Sequence, residues 1–187
     1  YGITGGSVSA GTSTLAGTYG SLSVITTTGA YTYTPNNRAI NALTTDTTDT
    51  FTVTVSDGSA IAQATYTVNL TGANDTPTLA TPTAASYSDT ASADTFSNNT
   101  GTLAGADRDS GQTLTFGITG GTVSGGISTK AGSYGSLSVD TSSGAYTYTP
   151  NNTAINALTA DTTDTFTVSV SDGNGGSNTA TYTVNLT

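Results

Sequence analysis

Phe51-Thr52-Val53-Thr54-Val55-Ser56-Asp57-Gly58 decides the fold of this chain, and it is written twice, returning as Phe166-Thr167-Val168-Ser169-Val170-Ser171-Asp172-Gly173. Apolar and hydroxyl side chains alternate with a period of two, which is the pattern of a strand with one buried face. The Asp-Gly that follows supplies the turn chemistry of a hairpin. Downstream, Tyr66-Thr67-Val68-Asn69-Leu70 and Tyr182-Thr183-Val184-Asn185-Leu186 are the return strands. Upstream, Tyr31 to Thr34 and Tyr146 to Thr149 alternate in the same way, and Leu22-Ser23-Val24 and Leu137-Ser138-Val139 add a short strand before each. Thr27-Thr28-Gly29 and Ser142-Ser143-Gly144 provide the intervening turns.

The duplication runs at a constant offset of 115 from Tyr1/Phe116 through Tyr19/Tyr134 and Pro35/Pro150 to Asp57/Asp172, then at 116 to the end. One residue has been gained or lost in the last hairpin loop. A unit of about 116 residues is a whole small domain rather than a solenoid turn. The expected division is an incomplete first repeat over residues 1–71, a complete second repeat over 72–187, and a linker at about 72–78. The first repeat has no counterpart of Gly72 to Thr115, as in a stretch cut from a longer array.

Composition agrees with an all-β chain. About a quarter of the residues are Thr, and Gly, Ser, Asn and Asp make up most of the other polar positions, a mixture that suits strands and turns. Pro35-Asn36-Asn37-Arg38-Ala39-Ile40-Asn41-Ala42-Leu43 departs from the strand pattern, and its apolar spacing and Asn-rich start predict one or two helical turns. About seven short strands with turn signals between them predict tandem immunoglobulin-like antiparallel β-sandwiches.

The charged residues are twelve Asp, two Arg and one Lys, giving a net charge of −9. That balance disfavours nucleic acid and anionic membranes as partners and suits a divalent cation. There is no Cys, hence no disulfide framework and no thiolate metal site. With no His, Cys or Glu, general-base and nucleophile pairs have little to be built from, and the chain is not expected to be an enzyme.

Three ordered motifs, Gly17-Thr18-Tyr19-Gly20-Ser21-Leu22-Ser23-Val24, Gly29-Ala30-Tyr31-Thr32-Tyr33-Thr34-Pro35-Asn36 and Thr48-Asp49-Thr50-Phe51 through Gly58, resemble the VCBS repeat family. That resemblance implies a cadherin-like tandem repeat of a giant secreted bacterial adhesin, exported to the cell surface. There such repeats form extender arrays in extracellular, filament-like proteins that serve cell adhesion and biofilms. A second resemblance is to cadherin repeats. It rests on Leu43-Thr44-Thr45-Asp46, on Asn74-Asp75-Thr76-Pro77, and on Ala106-Asp107-Arg108-Asp109-Ser110-Gly111. Carried over position by position, it implies that Asp46, Asn74 (through its carbonyl), Asp75, Asp107 and Asp109 hold calcium at a domain junction. Gly72 stands where the cadherin linker has its first acid, the linker is one residue short before Pro77, and Glu is absent.

Chemistry agrees with that assignment. Calcium takes six to eight hard oxygen donors, and Asp at alternate positions of a Gly-containing turn, as in Asp107 and Asp109, aims two carboxylates at one point. Asp49, Asp89, Asp161 and Asp164 are further acids of the same kind, whereas Asp57, Asp94, Asp140 and Asp172 read as turn-forming residues. The implied function is a structural spacer stiffened by calcium. Its partners would be neighbouring repeats of the same chain, and cell-surface or polysaccharide targets reached through other domains. Two alternatives stand beside it: a fibre subunit completed by strands exchanged between like molecules, and a polysaccharide- or ice-binding module using rows of outward Thr such as Thr32, Thr34, Thr52 and Thr54.

Overall fold

Alternation puts one row of side chains on each face of a strand, and burying the apolar rows of two sheets against each other produces a sandwich. The computed structural model describes all residues, Tyr1–Thr187, and builds such a sandwich twice. One unit comprises Tyr1–Asn74 with Arg108–Ser110, the other Asp75–Asp107 with Gly111–Thr187.

In the first unit, β1 (Gly2–Ile3), β2 (Ser7–Ser9), β3 (Thr12–Ala16), β4 (Gly20–Ile25) and β5 (Tyr31–Pro35) precede helix α1 (Asn37–Ile40). The long strands β6 (Thr47–Ser56) and β7 (Ile61–Leu70) follow. They form two sheets, in the orders β2-β3-β4-β5 and β1-β6-β7. Asn36 caps α1 by accepting a hydrogen bond from the Ala39 amide, the cap that its Asn-rich start predicts. The buried core is small: Ile3, Leu22, Val24 and Phe51, with Tyr33, Val53 and Tyr66 packed beside it.

The second unit opens with four short strands, β8 (Thr78–Leu79), β9 (Ala85–Tyr87), β10 (Asn99–Thr102) and β11 (Gly105–Ala106). It then repeats the first unit as β12 (Thr115–Ile118), β13 (Thr122–Ser124), β14 (Ile127–Ala131), β15 (Gly135–Asp140), β16 (Ala145–Pro150), helix α2 (Asn152–Ile155), β17 (Thr162–Ser171) and β18 (Ser177–Leu186). Its sheets are longer. One runs β10-β16-β15-β14-β13, the other β12-β17-β18-β9, and β8 pairs with β11. Strand β10 is antiparallel to β16, whereas β9 lies parallel to β18 with Val184 opposite Ala85 and Leu186 opposite Tyr87. The added strands close the core. Tyr148, Tyr182, Phe166, Leu137 and Ile155 are essentially inaccessible, and Ala85 and Leu103 from the opening segment are buried with them.

The hairpins β2–β3 and β13–β14 lie outside the strands expected from alternation. Val8 and Val123, the middle residues of β2 and β13, are 68% and 62% exposed. These ribbons extend a sheet by backbone pairing, with little apolar burial to mark them in the sequence.

Candidate functional site

With no His, Cys or Glu, the chemistry-bearing side chains of this molecule are its carboxylates, and the structure sorts them by what they hold. The first group serves turns. Asp57 accepts from the Ser59 and Ala60 amides, which hold its carboxyl below the usual carboxylate range. Asp140 accepts from the hydroxyls and amides of Ser142 and Ser143, which lower its pKa to about 2. Asp94 accepts from the Thr90 amide and hydroxyl, and Asp172, 3% exposed, accepts from the Asn174 and Gly176 amides. These are the four acids expected to form turns.

The second group is internal. Asp49 and Asp164 begin the inward rows of β6 and β17 and are each 6% exposed. Asp49 accepts from the amides of Thr18 and Tyr19 and from the hydroxyl of Tyr33, at 3.2, 3.1 and 3.1 Å. Asp164 accepts from the amides of Ser133 and Tyr134 and from the hydroxyl of Tyr148, at 3.3, 3.0 and 3.3 Å. Such carboxylates tie one sheet to the loop preceding β4 or β15. A Cβ on Gly17 or Gly132 would collide with the carboxylate, so glycine is required beside it. Burial first, and then Asp49, raises the Tyr33 phenol to about 12; burial and Asp164 raise Tyr148 as well. Both acids therefore staple the interior of a single unit, a role that residue type and spacing did not assign to them.

The remaining candidates lie at unit boundaries in the sequence. Asp46 is exposed, immediately precedes β6, and accepts from the Gly72 amide at 3.1 Å. Gly72 passes so close to the Thr45 backbone that a Cβ there would overlap it, which gives a steric reason for glycine where the cadherin linker has an acid. Asn74 is exposed and Asp75 and Asp107 are half-buried, while Asp109 is 8% exposed. Asp107 Oδ2 and Asp109 Oδ1 are withdrawn from solvent. By unit, Asp46, Asn74 and Asp109 belong to the first and Asp75 and Asp107 to the second. Nowhere are three acidic side chains gathered at metal-holding distance. The donors are hard oxygens, the kind calcium takes.

Thr32, Thr34 and Thr52 are exposed and Thr54 is half-buried. No helix is long and apolar enough to cross a membrane.

Two β-sandwiches of one sequence pattern, antiparallel but for the β9–β18 pair and each with a short capped helix and an internal Asp staple, make this a tandem immunoglobulin-like β-sandwich repeat protein. The chain belongs to the bacterial cadherin-like domain family, whose profile matches residues 74–187. No curated protein matches significantly. Among solved structures, the chain is similar to protocadherin gamma B2 extracellular cadherin domains 3–6, at 12% identity and a TM-score of 0.44 over 92% of this chain and 40% of that one. It is also similar to Drosophila N-cadherin EC1–3, at 15% identity and a TM-score of 0.39 over 96% of this chain and 55% of that one. Human CDH23 EC21–23 gives 19% identity and a TM-score of 0.40 over 88% and 49%. The chain thus spans about half or less of the length of these structures.

Proposed function

We propose that this chain is a spacer module of a secreted bacterial surface protein, stiffened at its repeat junctions by calcium and without catalytic activity. The observation that carries this reading is the repetition itself. Strands β1 to β7, the capped helix and the internal Asp staple of the first unit all recur in the second, and a spacer needs repetition where a ligand site needs particularity. Membership in the bacterial cadherin-like family supports an extracellular setting.

Asp46, Asn74, Asp75, Asp107 and Asp109 would hold the ion. Bound calcium would supply a divalent centre shared by six to eight oxygens. The two carboxylates of the Asp107-Arg108-Asp109 turn would enter as a pair, Asp75 and the Asn74 carbonyl would come from the linker, and Asp46 would come from the loop before β6. Without a cation, like charges brought together repel, and the linker is freed. The acids that hold turns or staple the interior take no part. Neighbouring repeats of the same chain are its partners in this reading.

Calorimetric titration of the chain with calcium, alongside its thermal midpoint, tests the proposal. Saturable heat and a raised midpoint are expected, both lost in the Asp107→Ala/Asp109→Ala double variant and both retained in Asp57→Ala. Absence of binding at millimolar calcium would overturn the stiffening role.

A further inference from the structure

The loops that join the two long strands of each unit differ by one residue. Asp57-Gly58-Ser59-Ala60 stands between the paired Ser56 and Ile61, whereas Asp172-Gly173-Asn174-Gly175-Gly176 stands between the paired Ser171 and Ser177. The longer loop contains the single Asn-Gly step of the chain, Asn174-Gly175. Asparagine followed by glycine can react with its own backbone, because no side chain crowds the glycine nitrogen as it approaches the asparagine amide.

The loop leaves that step accessible. Asn174 and Gly175 are exposed, while Asp172 and Gly176 on either side are buried. Gly175 has a φ of 104° and open space where a Cβ would stand. Asp172 Oδ1 accepts from the Asn174 amide at 2.7 Å and from the Gly176 amide at 3.0 Å. The Gly175 amide lies between them and takes no part in these bonds, nor in those from the Asp172 amide and the Ser171 hydroxyl to the Gly176 carbonyl that finish the hairpin. Its nitrogen is therefore open to water and base. The Asn174 side chain is tethered by one long bond, from Nδ2 to the Asp172 carbonyl at 3.3 Å.

Elsewhere the same chemistry is blocked. Every other asparagine is followed by a residue with a side chain, and Asn36, Asn151 and Asn156 are further held by their own hydrogen bonds. The two Asp-Gly steps offer carboxylates, whose ionised oxygen leaves poorly, and the Ser59 and Ala60 amides keep Asp57 ionised.

We infer that Asn174-Gly175 is a self-acting modification site, at which the second unit converts its own hairpin loop to an isoaspartyl linkage with water as the co-reactant. The Gly175 nitrogen, having lost its proton to hydroxide, attacks Asn174 Cγ. The N–Cγ bond forms, the Cγ–Nδ2 bond breaks, and Nδ2 leaves as ammonia after taking a proton from water. Water then opens the cyclic imide. Cleavage between the Gly175 nitrogen and the Asn174 main-chain carbonyl carbon leaves isoaspartate, cleavage at Cγ leaves aspartate, and nothing is oxidised or reduced. Adjacent residues hold the two reacting groups together, which makes the step effectively unimolecular.

Isoaspartate draws the Cβ of residue 174 into the main chain and so adds an atom between the two amides that converge on Asp172 Oδ1. Those bonds no longer fit together. The disturbance reaches the start of the unit, because Pro77 is essentially inaccessible, its carbonyl accepts from Asn178 Nδ2 at 3.2 Å, and its ring borders Gly176. The chemistry uses none of the proposed calcium donors and stands apart from the calcium reading.

Incubation of the folded 187-residue chain at neutral and mildly alkaline pH, followed by chymotryptic digestion and mass spectrometry of residues 167–182, tests the site. The expected result is the mass increase of amide-to-acid conversion, with isoaspartate in excess, growing with time and faster as pH rises. Its rate should lie within about tenfold of that in the free peptide 167–182, and Gly175→Ala should slow it at least about tenfold. Residues 149–158, which carry Asn151 and Asn152, should stay unchanged in the same digest. Hydrogen exchange at the Gly176 amide should quicken roughly tenfold or more in the modified chain, and should not change with incubation in Asn174→Gln. Three outcomes overturn the inference: a folded chain that reacts far more slowly than the peptide, a Gly175→Ala chain that reacts as fast as the native one, or a modified loop whose Gly176 amide exchanges at the native rate.

Discussion

Tyr66 and Tyr182 occupy the same place in the two units, opposite Phe51 and Phe166 in hairpins paired alike, yet Tyr182 is 1% exposed and Tyr66 is half-buried. The difference comes from a segment remote in sequence, since Ala85, Tyr87 and Leu103 join the core that holds Tyr182. Hairpin pairing and sheet order are therefore local properties of the repeat's later two-thirds. Sealing of the core depends on its opening third.

The comparison is tested most strongly by truncating that tyrosine in each unit. Tyr182→Ala should destabilise the second unit by about 3–5 kcal/mol, the range for deleting a buried ring, and Tyr66→Ala should cost the first unit about half as much. Residue-resolved hydrogen exchange over β17–β18 and β6–β7 reads the two separately, and equal losses would break the contrast. The internal staple should behave in the opposite way, because its bonds recur in both units. Replacing Asp49 or Asp164 with Ala strands two amides and a tyrosine hydroxyl, and a similar loss of about 2–3 kcal/mol is expected in each.

A smaller effect is expected at high pH. Tyr33 is raised to about 12 in the folded first unit, so its folded pKa lies above the unfolded value near 10. The stability it contributes is fully present below pH 10 and is lost as pH rises through about 12. Tyr33→Phe should flatten that alkaline loss in the first unit, and Tyr148→Phe should do the same in the second. Tyrosinate absorbance followed together with hydrogen exchange measures both, and unchanged alkaline behaviour in Tyr33→Phe would show that the Tyr33 phenol does not carry the loss.

The sandwich was legible because Phe51, Val53 and Val55 share a parity that only a half-buried strand explains, and because the same parity returns at Phe166, Val168 and Val170. The helical turn of the first unit was legible through Asn36, whose side chain caps it, and the structure repeats that cap with Asn151 in the second. The internal staple carried a usable signal that residue type obscured: Asp49 and Asp164 fall on the same parity as the apolar row, and a carboxylate on an inward row must find donors. The hairpins β2–β3 and β13–β14 left little such trace, because Thr, Ser and Gly face both ways along them. The opening strands β8 to β11 were equally faint, since Gly101 and Gly105 are read by what they allow to approach and not by any side chain of their own.

The parallel pair β9–β18 gives the second unit a mechanical property. Tension drawn through its two ends pulls the start of β9 backward and the end of β18 forward, along the strand axes. The bonds between Ala85–Tyr87 and Val184–Leu186 are then strained side by side as the strands slide, rather than peeled one at a time. A link loaded in this way yields only when its bonds fail together, so the strands that seal the core also form the clamp that resists extension.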